Sequence, residues 1–288
     1  MISLIAIDMD GTILNPDHSI SQKNKQAILD AQSQGIEVVI ATGRSYSEAL
    51  IPVKEAGLKV PYICLNGAEV RDSSGELISA THIVESDIEK ITSILDAEAI
   101  EYQLFIDTIV YTRDIESPLN AFIQLAREAG QNPPVEEIRK DIMKQVKLGT
   151  LQQIDSFDDL INQRGNEIYK IFGTSFNMPD LDKARKALQQ IPGLAISSSG
   201  AGNLEITNIN AQKGIAVEKL AKSKGLSMEN VMAIGDNYND LSMMERAGHS
   251  VAMGNAPDEI KAACTKVTTS NAEDGVGLAI EAILQPQN

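Results

Sequence analysis

The sequence contains few cysteines and histidines, the residues that form disulfide frameworks and many metal sites. Its 288 residues include only two cysteines, Cys64 and Cys264, and neither has a potential metal ligand near it in the sequence. Both lie in apolar stretches, so we expect buried free thiols in a reducing compartment and no disulfide framework. The three histidines, His18, His82 and His249, lack the mutual spacing of a metal site or a catalytic triad. We therefore expect them to be structural.

Long apolar runs and an excess of positive charge are also missing. No apolar run approaches roughly 18 residues, the length of a membrane-spanning helix, and the N-terminus lacks the basic start of a signal peptide. Lysine and arginine number 25 against 40 aspartates and glutamates, which gives a formal net charge of -15. This charge argues against nucleic acid or an anionic membrane surface as the main partner. We predict a cytoplasmic protein in which a phosphate-bearing ligand would need a local positive site.

The chain is long enough for two domains, and its rhythm of secondary structure changes twice. Residues 1–83 and 208–288 alternate apolar strand-like runs with helical segments, which is typical of a doubly wound, Rossmann-like parallel sheet. Residues 84–207 instead interleave helices with hairpins. The sequence therefore predicts an α/β fold in which an α+β domain is inserted into a parallel-sheet core.

Local signals predict the individual elements. Capping residues, glycine stops and apolar runs indicate these core elements: a helix from Ser21 to about Ser33, strands at 37–41 and 62–65, a capping box at Ser45 and Glu48, a helix ending near 224, a strand at 231–234 and a helix at 240–247. The same signals indicate these inserted elements: helices starting at Ser86, running from Pro118 to Gly130 and spanning 181–190, with strands at 101–106, 109–112, 167–172, 194–199 and 203–207.

Two aspartates follow the apolar run at residues 2–7, in the segment Asp8-Met9-Asp10-Gly11-Thr12. In a strand, residues i and i+2 point to the same side, and Gly11 permits the chain to turn after them. Two carboxylates about 4 Å apart repel by roughly 4 kcal/mol at an effective dielectric of ~20, so the pair needs a cation, a proton or positive side chains. Among cations, Mg²⁺ fits best. A hairpin turn or a calcium loop is an alternative, but neither suits the residues that follow.

Polar residues end the other predicted core strands as well, and doubly wound sheets bind ligands at the carboxyl ends of their strands. The later strand ends carry Thr42-Gly43-Arg44, Asn66-Gly67 and Gly235-Asp236-Asn237-Tyr238-Asn239-Asp240, and Lys213 starts a helix in the same part of the chain. Taken singly, Thr42, Asn239 and Asp240 could be helix caps, and Lys213 could be a surface lysine.

Together these motifs resemble the haloacid dehalogenase superfamily of phosphotransferases. That family has an aspartate pair in D-x-D-G-T, a Ser or Thr after the second strand, a Lys, and a late acidic G-D-x-x-N-D, and all four occur here in that order. Three further stretches are similar to the Cof-type branch, whose inserted domain is a C2-class cap: Ala41-Thr42-Gly43-Arg44, Asn66-Gly67-Ala68 and Val251-Ala252-Met253-Gly254-Asn255-Ala256.

The resemblance implies roles for the acidic residues. Asp8 would be the nucleophile that takes the phosphoryl group as an aspartyl-phosphate. Asp10 would be the general acid for the leaving alcohol and then the base for water, with its backbone carbonyl offered to Mg²⁺. Asp236 would complete the metal site with Asp8 and Asp10, while Asn239 and Asp240 orient the surrounding groups.

The resemblance also implies which residues hold the phosphate and the substrate. Thr42 would donate a hydrogen bond and Lys213 a positive charge to the phosphoryl oxygens. The other residues expected to contact the phosphate or the substrate are Met9, Gly43, Arg44, Asn66 and Asn239. For Arg44 a salt bridge within this acidic chain is an equally good interpretation.

The resemblance thus implies a Mg²⁺-dependent phosphatase that acts on small phosphorylated metabolites, with sugar phosphates as the family's usual substrates. We expect a monomer or weak homo-oligomer, with no nucleic-acid or membrane partner. A hexose phosphomutase would share the motifs, and a phospho-accepting signalling receiver would share the clustered aspartates, Thr and Lys. A catalytically silent binding protein is a third alternative, which the intact motifs disfavour.

Overall fold

The structure, a computed structural model, describes residues 2–116, 119–120, 123, 135–163, 166–199 and 202–285. The chain forms two compact units. The first, called the core unit here, comprises Met1–Ala80 and Asn210–Asn288, and the second, the inserted unit, comprises Thr81–Ile209. Among the helices within the described ranges, none is long and apolar enough to cross a membrane.

The described part of the core unit contains an eight-stranded sheet. Its strands are β1 (Leu4–Ile7), β2 (Glu37–Ala41), β3 (Tyr62–Cys64), β4 (Glu69–Arg71), β5 (Leu77–Ala80), β12 (Val231–Gly235), β13 (His249–Ala252) and β14 (Lys266–Val267). They lie in the order β14-β13-β12-β1-β2-β3-β4-β5, parallel from β14 to β3 and antiparallel from β3 to β5. The parallel sheet predicted for residues 1–83 and 208–288 is thus present.

Both faces of this sheet are covered. The core helices are α1 (Gln22–Ser33), α2 (Tyr46–Glu55), α7 (Lys213–Ser223), α8 (Leu241–Met244), α9 (Asp258–Ala263) and α10 (Gly275–Leu284). Leu4 and Ala6 of β1 pack in one apolar cluster with residues of α7, α8 and α9, including Met243 and Met244. Ile5 and Ile7 point to the opposite face and are also fully buried. A strand that is apolar on both sides therefore lies at the centre of the sheet.

The helix signals read from the core sequence act as predicted. Ser21 caps α1, since its side chain accepts a hydrogen bond of 3.0 Å from the backbone N–H of Asn24. Ser45 and Glu48 form the predicted capping box at the start of α2. Short polar side chains at these positions satisfy backbone donors that the first helical turn leaves open.

The inserted unit contains a six-stranded sheet in its described residues. Its strands are β6 (Glu101–Ile106), β7 (Ile109–Thr112), β8 (Leu151–Gln153), β9 (Ile168–Thr174), β10 (Leu194–Ser197) and β11 (Asn203–Asn208), in the order β10-β11-β9-β6-β7-β8. Its helices are α3 (Glu85–Ala97), α4 (Val135–Leu148), α5 (Asp158–Asn162) and α6 (Met178–Leu188). Apolar residues of α3 and α6 pack with one face of β6, β9 and β11. This is the α+β arrangement that the mixed pattern indicates.

Some predicted elements differ from those observed. Helix α3 begins at Glu85, not Ser86, because Val84 is the last extended residue and Glu85 and Asp87 lie in the first turn. There their negative charges face the positive end of the helix dipole. Strand β8 runs parallel to β7, whereas the rest of this sheet is antiparallel as expected. The helix predicted from Pro118 to Gly130 lies outside the described residues.

Two predictions in the core unit were wrong in detail. The helix expected at 240–247 is a short turn, Tyr238–Asp240, followed by the four residues of α8. The chain then leaves the helix because the N–H of Gly248 donates to the carbonyl of Met228 at 2.7 Å. Cys64 is a buried free thiol as expected, but Cys264 is half-buried, with its Sγ 3.5 Å from Sδ of Met244.

Candidate active site

Strand β1 delivers Asp8 to the carboxyl edge of the core sheet. The backbone N–H of Asp8 donates to Ile234 of β12 at 2.9 Å, so Asp8 continues the parallel ladder before the chain turns. The whole residue is only 4% exposed. The turn requires Gly11, whose φ is +75° and whose missing Cβ would lie 2.3 Å from Oδ2 of Asp236. The tight turn therefore brings the backbone after β1 against the acidic loop after β12.

Lys213 joins two carboxylates inside this site. Its Nζ donates to Oδ1 of Asp8 and to Oδ1 of Asp240, each at 2.6 Å, and the lysine side chain is fully buried. The lysine reaches this position because α7 packs closely on α8, where a Cβ on Gly214 would lie 1.8 Å from the carbonyl oxygen of Ser242. Burial alone would lower the pKa of Lys213, but Asp240 and Asp8 raise it above its usual value. The ammonium is therefore charged at neutral pH.

Both carboxylate oxygens of Asp240 accept hydrogen bonds. Oδ1 accepts from Lys213, and Oδ2 accepts from the backbone N–H groups of Asp236 and Asn237, each at 3.0 Å. Asp240 thus shapes the loop after β12 and anchors the lysine at the same time. Its position agrees with the supporting role that the family resemblance implies, and its Oδ2, which already accepts two hydrogen bonds, has no lone pair left for another partner.

Asp236 is half-buried, and each of its oxygens is held by one side chain. Thr12 Oγ1 donates to Oδ1 at 3.1 Å, and Asn255 Nδ2 lies 3.3 Å from Oδ2 as a donor. Burial raises the pKa of Asp236 to about 6, and the charge of Asp240 contributes to this rise. Burial, followed by Asp240, also raises the pKa of Asp8 well above its usual range, although Lys213 opposes the shift. The positive charge near these two carboxylates is therefore too small to offset the effect of burial on their ionised forms.

The carboxylates of Asp8, Asp236 and Asp240 form the acidic cluster of the described residues. Each offers an oxygen, and these oxygens lie within 4.8 Å of one another. An all-oxygen donor set, in which the pKa values of Asp8 and Asp236 are raised, suits a hard divalent cation such as Mg²⁺. His18, His82 and His249 are not part of this cluster.

The side chain of Asp10 lies outside this cluster. Its half-exposed carboxylate makes a bidentate salt bridge to Arg44, with Nε to Oδ2 at 2.7 Å and Nη2 to Oδ1 at 2.5 Å. Of the two interpretations of Arg44, the structure shows the salt bridge. The carboxylate of Asp10 is therefore no ligand of the three-carboxylate cluster, and only its backbone carbonyl is left as a candidate metal ligand.

The remaining predicted residues form a second connected group at the ends of β2 and β3. Thr42 is buried, and its Oγ1 accepts a hydrogen bond of 3.1 Å from the backbone N–H of Arg44, next to Gly43. The N–H of Asn66 donates to the carbonyl of Thr42 at 3.0 Å, and Asn239 Nδ2 donates to Oδ1 of Asn66 at 3.3 Å. The structure thus links Thr42, Asn66 and Asn239.

Met9 contributes to the site in a different way from the polar residues. Its side chain is fully buried in the apolar core. Any contact with a phosphate would therefore come from its backbone N–H, as the family resemblance implies.

Thr12 and Asn255, which both contact Asp236, are not among the predicted site residues. Thr12 belongs to the D-x-D-G-T segment, and Asn255 lies in the stretch that follows β13. Strand β13 is parallel to β12, and Asn255 lies just after its carboxyl end, where ligand-side residues of such a sheet are expected.

Comparison with known proteins agrees with this site. The family model described as haloacid dehalogenase-like hydrolase matches residues 5–280. Phosphatase YwpJ of Bacillus subtilis (strain 168) is 33% identical over 285 residues, covering 98% of this chain and 100% of the relative. From the same organism, 5-amino-6-(5-phospho-D-ribitylamino)uracil phosphatase YwtE is 36% identical over 284 residues, covering 98% of each.

A solved structure gives the same result for the fold. The structure of a haloacid dehalogenase-like hydrolase from B. subtilis has a TM-score of 0.87 and 33% sequence identity, covering 98% of this chain and 100% of that chain. The architecture, the order of the motifs and the sequence relatives all agree. The chain therefore belongs to the haloacid dehalogenase-like hydrolases, as a phosphatase of the Cof-type branch.

Proposed function

We propose that this phosphatase is Mg²⁺-dependent and hydrolyses phosphate monoesters of small metabolites, sugar phosphates foremost, through an aspartyl-phosphate on Asp8. The observation that carries the proposal is the buried contact of Asp8 with Lys213 beside the carboxylate of Asp236. One oxygen of Asp8 is fixed by the lysine, so the other is aimed as a nucleophile. A signalling receiver does not account for a chain that matches a hydrolase family over residues 5–280.

In the first step an oxygen of Asp8 attacks phosphorus, and the bond from phosphorus to the ester oxygen breaks. Asp10 gives a proton to the departing alcohol, and in the second step it takes a proton from the water that hydrolyses the aspartyl-phosphate. Its two oxygens accept from different nitrogens of Arg44. Each oxygen therefore keeps a lone pair, and Asp10 can exchange a proton while Arg44 holds it in place.

The residues present suit a bound Mg²⁺. Each oxygen of Asp236 accepts one hydrogen bond and keeps a lone pair, as does Oδ1 of Asp8, whereas Asp240 accepts three hydrogen bonds, two of them on Oδ2. The backbone carbonyl of Asp10 is the third ligand that the family resemblance suggests. When bound, the cation would neutralise negative charge on the carboxylates and on the phosphoryl oxygens.

Lys213 and Thr42 are proposed to hold the phosphoryl group, together with the backbone N–H groups of Met9 and Gly43. An ammonium has three donors, and Lys213 uses two of them on Asp8 and Asp240. The third is available for a phosphoryl oxygen. Backbone N–H groups at the turns after β1 and β2 would add neutral donors where negative charge develops.

The substrate class rests on the relatives rather than on the geometry of the catalytic residues. One relative is named as a phosphatase of a ribitylamino uracil phosphate, an ester of a small sugar-alcohol group. We propose a substrate of comparable size, recognised through the inserted unit, which would act as the C2-class cap. The expectations of a cytoplasmic location and of a monomer or weak homo-oligomer stay predictions.

A phosphate-release assay over a panel of phosphorylated sugars, sugar alcohols, nucleotides and cofactors tests the proposal. We expect turnover with Mg²⁺, none in excess EDTA, and none for Asp8→Asn. Activity that persists in EDTA, after metal analysis shows no bound cation, would contradict the metal requirement. A phosphomutase would instead need an added sugar bisphosphate and would release little free phosphate.

A further inference from the structure

Asn255 connects three loops at the carboxyl edge of the core sheet. Its Nδ2 donates to the carbonyl oxygen of Gly11 at 2.9 Å and lies 3.3 Å from Oδ2 of Asp236. Its Oδ1 accepts a hydrogen bond of 3.0 Å from the backbone N–H of Asn271. Because the acceptor side of the amide is fixed by that N–H, the NH₂ group must face Gly11 and Asp236.

We propose that Asn255 is a positioning residue that sets the carboxylate of Asp236 for divalent cation binding. The inference rests on the proposed function, since it concerns the cation that the proposed phosphatase uses. Thr12 holds one oxygen of Asp236 and Asn255 holds the other, so the two donors together fix the plane of the carboxylate. Partners of this kind around a metal ligand set its orientation and its affinity for the metal.

The position of Asp236 explains why it needs such support. Asp240 is fully buried and bound to the ammonium of Lys213, whereas Asp236 is half-buried and is held by the neutral side chains of Thr12 and Asn255. The adjacent backbone of Gly11 leaves room for the carboxylate only because the glycine has no Cβ. Asn255 binds both sides of this contact, since it donates to the carbonyl of Gly11 and to Asp236. It therefore fixes the distance between the loops after β1 and β12.

A role limited to stability does not fit the exposure of Asn255. The side chain is exposed, so truncation opens no buried cavity, and water can reach the carbonyl of Gly11 and the carboxylate of Asp236. Because water can replace the lost partner, losing exposed hydrogen bonds of this kind lowers the free energy of unfolding only modestly. The expected effect falls on the orientation of Asp236, and hence on the affinity for the cation.

The test compares Asn255→Ala with a matched control, Asn271→Ala. The control removes an amide that donates to the carbonyl of Leu14 at 2.8 Å, but it keeps the backbone N–H that holds Asn255. Isothermal titration of the intact, metal-free protein with MgCl₂ measures the Kd without substrate. We expect Asn255→Ala to raise the Kd about 10- to 100-fold. The control should stay within about twofold of the wild-type Kd.

Kinetics with p-nitrophenyl phosphate provide the second measurement. For Asn255→Ala, a higher Mg²⁺ concentration should be needed for half-maximal activity, while kcat at saturating Mg²⁺ and the KM for the ester stay close to wild type. In the Asp236→Asn background, adding Asn255→Ala should cause no further loss of Mg²⁺ affinity, because the residue that it positions has already lost its charge.

Three outcomes would overturn the inference. They are an unchanged Kd for Asn255→Ala, an equal rise for Asn271→Ala, and a further tenfold or so loss when Asn255→Ala is added to Asp236→Asn. An absence of Mg²⁺ binding by the wild-type protein would contradict the proposed function itself. The two failures are distinguished by the wild-type titration alone.

Discussion

Replacing Lys213 with methionine tests the physical basis of the site most directly. The lysine is fully buried, and its Nζ lies 2.6 Å from a carboxylate oxygen of Asp8 and 2.6 Å from one of Asp240. Methionine keeps an unbranched stem of similar length but removes the charge and the donors. Two carboxylates then stay in the interior without the positive charge that they share.

Removing one partner of a buried ion pair costs about 3–5 kcal/mol, since the other charge is left without compensation. Asp240 keeps its hydrogen bonds from the backbone of Asp236 and Asn237, so the cost falls mainly on Asp8. For a protein of this size each kcal/mol lowers Tm by roughly 2–4 °C, so Tm of the metal-free protein should fall by about 10 °C at pH 8. Phosphatase activity should be lost as well.

The sign of the pH dependence follows from the same charges. The pKa of Asp8 is already raised by burial, and without Lys213 it rises further. Such a group stabilises the folded state fully below its unfolded pKa, and this stability is lost as the pH rises through the folded pKa. The defect of Lys213→Met should therefore shrink between pH 8 and pH 5.

Thermal unfolding in EDTA at the two pH values measures this difference. Lys90→Met is the matched control, because Lys90 is paired with Asp87 but its side chain is 58% exposed. The control should have little effect at either pH. If Lys213→Met matched the control at pH 8, or if its defect grew toward pH 5, the reasoning about uncompensated buried charge would be refuted.

Four further outcomes are expected. Because the pKa of Asp236 is raised to about 6, protons should compete with Mg²⁺, so calorimetry should show weaker binding at pH 5 than at pH 8; equal affinities would contradict this. Asp8→Asn should abolish phosphate release yet raise the Tm of the metal-free protein at pH 8, since one repelling charge is gone; an unchanged or lower Tm would count against the repulsion. Asp10→Asn should impair hydrolysis of a sugar phosphate more than that of an aryl phosphate, because only the poor leaving group needs protonation; equal losses would argue against Asp10 as the acid. Lys170→Met should remove the buried salt bridge of 2.9 Å to Glu205 and lower the free energy of unfolding, measured in urea, by about 3–5 kcal/mol. The Kd for Mg²⁺ should stay unchanged, and a raised Kd would tie this pair to the metal site.

Most of the core fold could be predicted because its signals are local. Runs of apolar residues such as 37–41 became strands within a residue, and Ser21 and Ser45 capped the helices that they were expected to cap. A parallel strand is buried on both faces, so its sequence is recognisable without knowledge of its neighbours. Because short connections usually join strands that lie near each other, only a few strand orders are then possible.

The parts that could not be predicted depend on distant contacts. Nothing local shows that Arg44 pairs with Asp10, because the choice between solvent, substrate and carboxylate is made by the fold. The hairpin of β4 and β5 was missed because β5 exposes Leu77 and Ile78 and lacks a clear alternation of buried and exposed residues. The parallel pairing of β8 with β7 likewise depends on where the chain returns after residue 148.

The net charge of the site bears on the proposed requirement for a cation. Three carboxylates and one ammonium leave the group of Asp8, Asp236, Asp240 and Lys213 with two net negative charges when all are ionised. A phosphate monoester is itself an anion, and in a buried site of low dielectric the repulsion would be far stronger than in water. The salt bridge between Arg44 and Asp10 is locally neutral and does not offset this charge. One divalent cation would bring the group to neutrality and allow an anionic substrate to approach Asp8, so the charges of the site support the proposed metal requirement independently of the family.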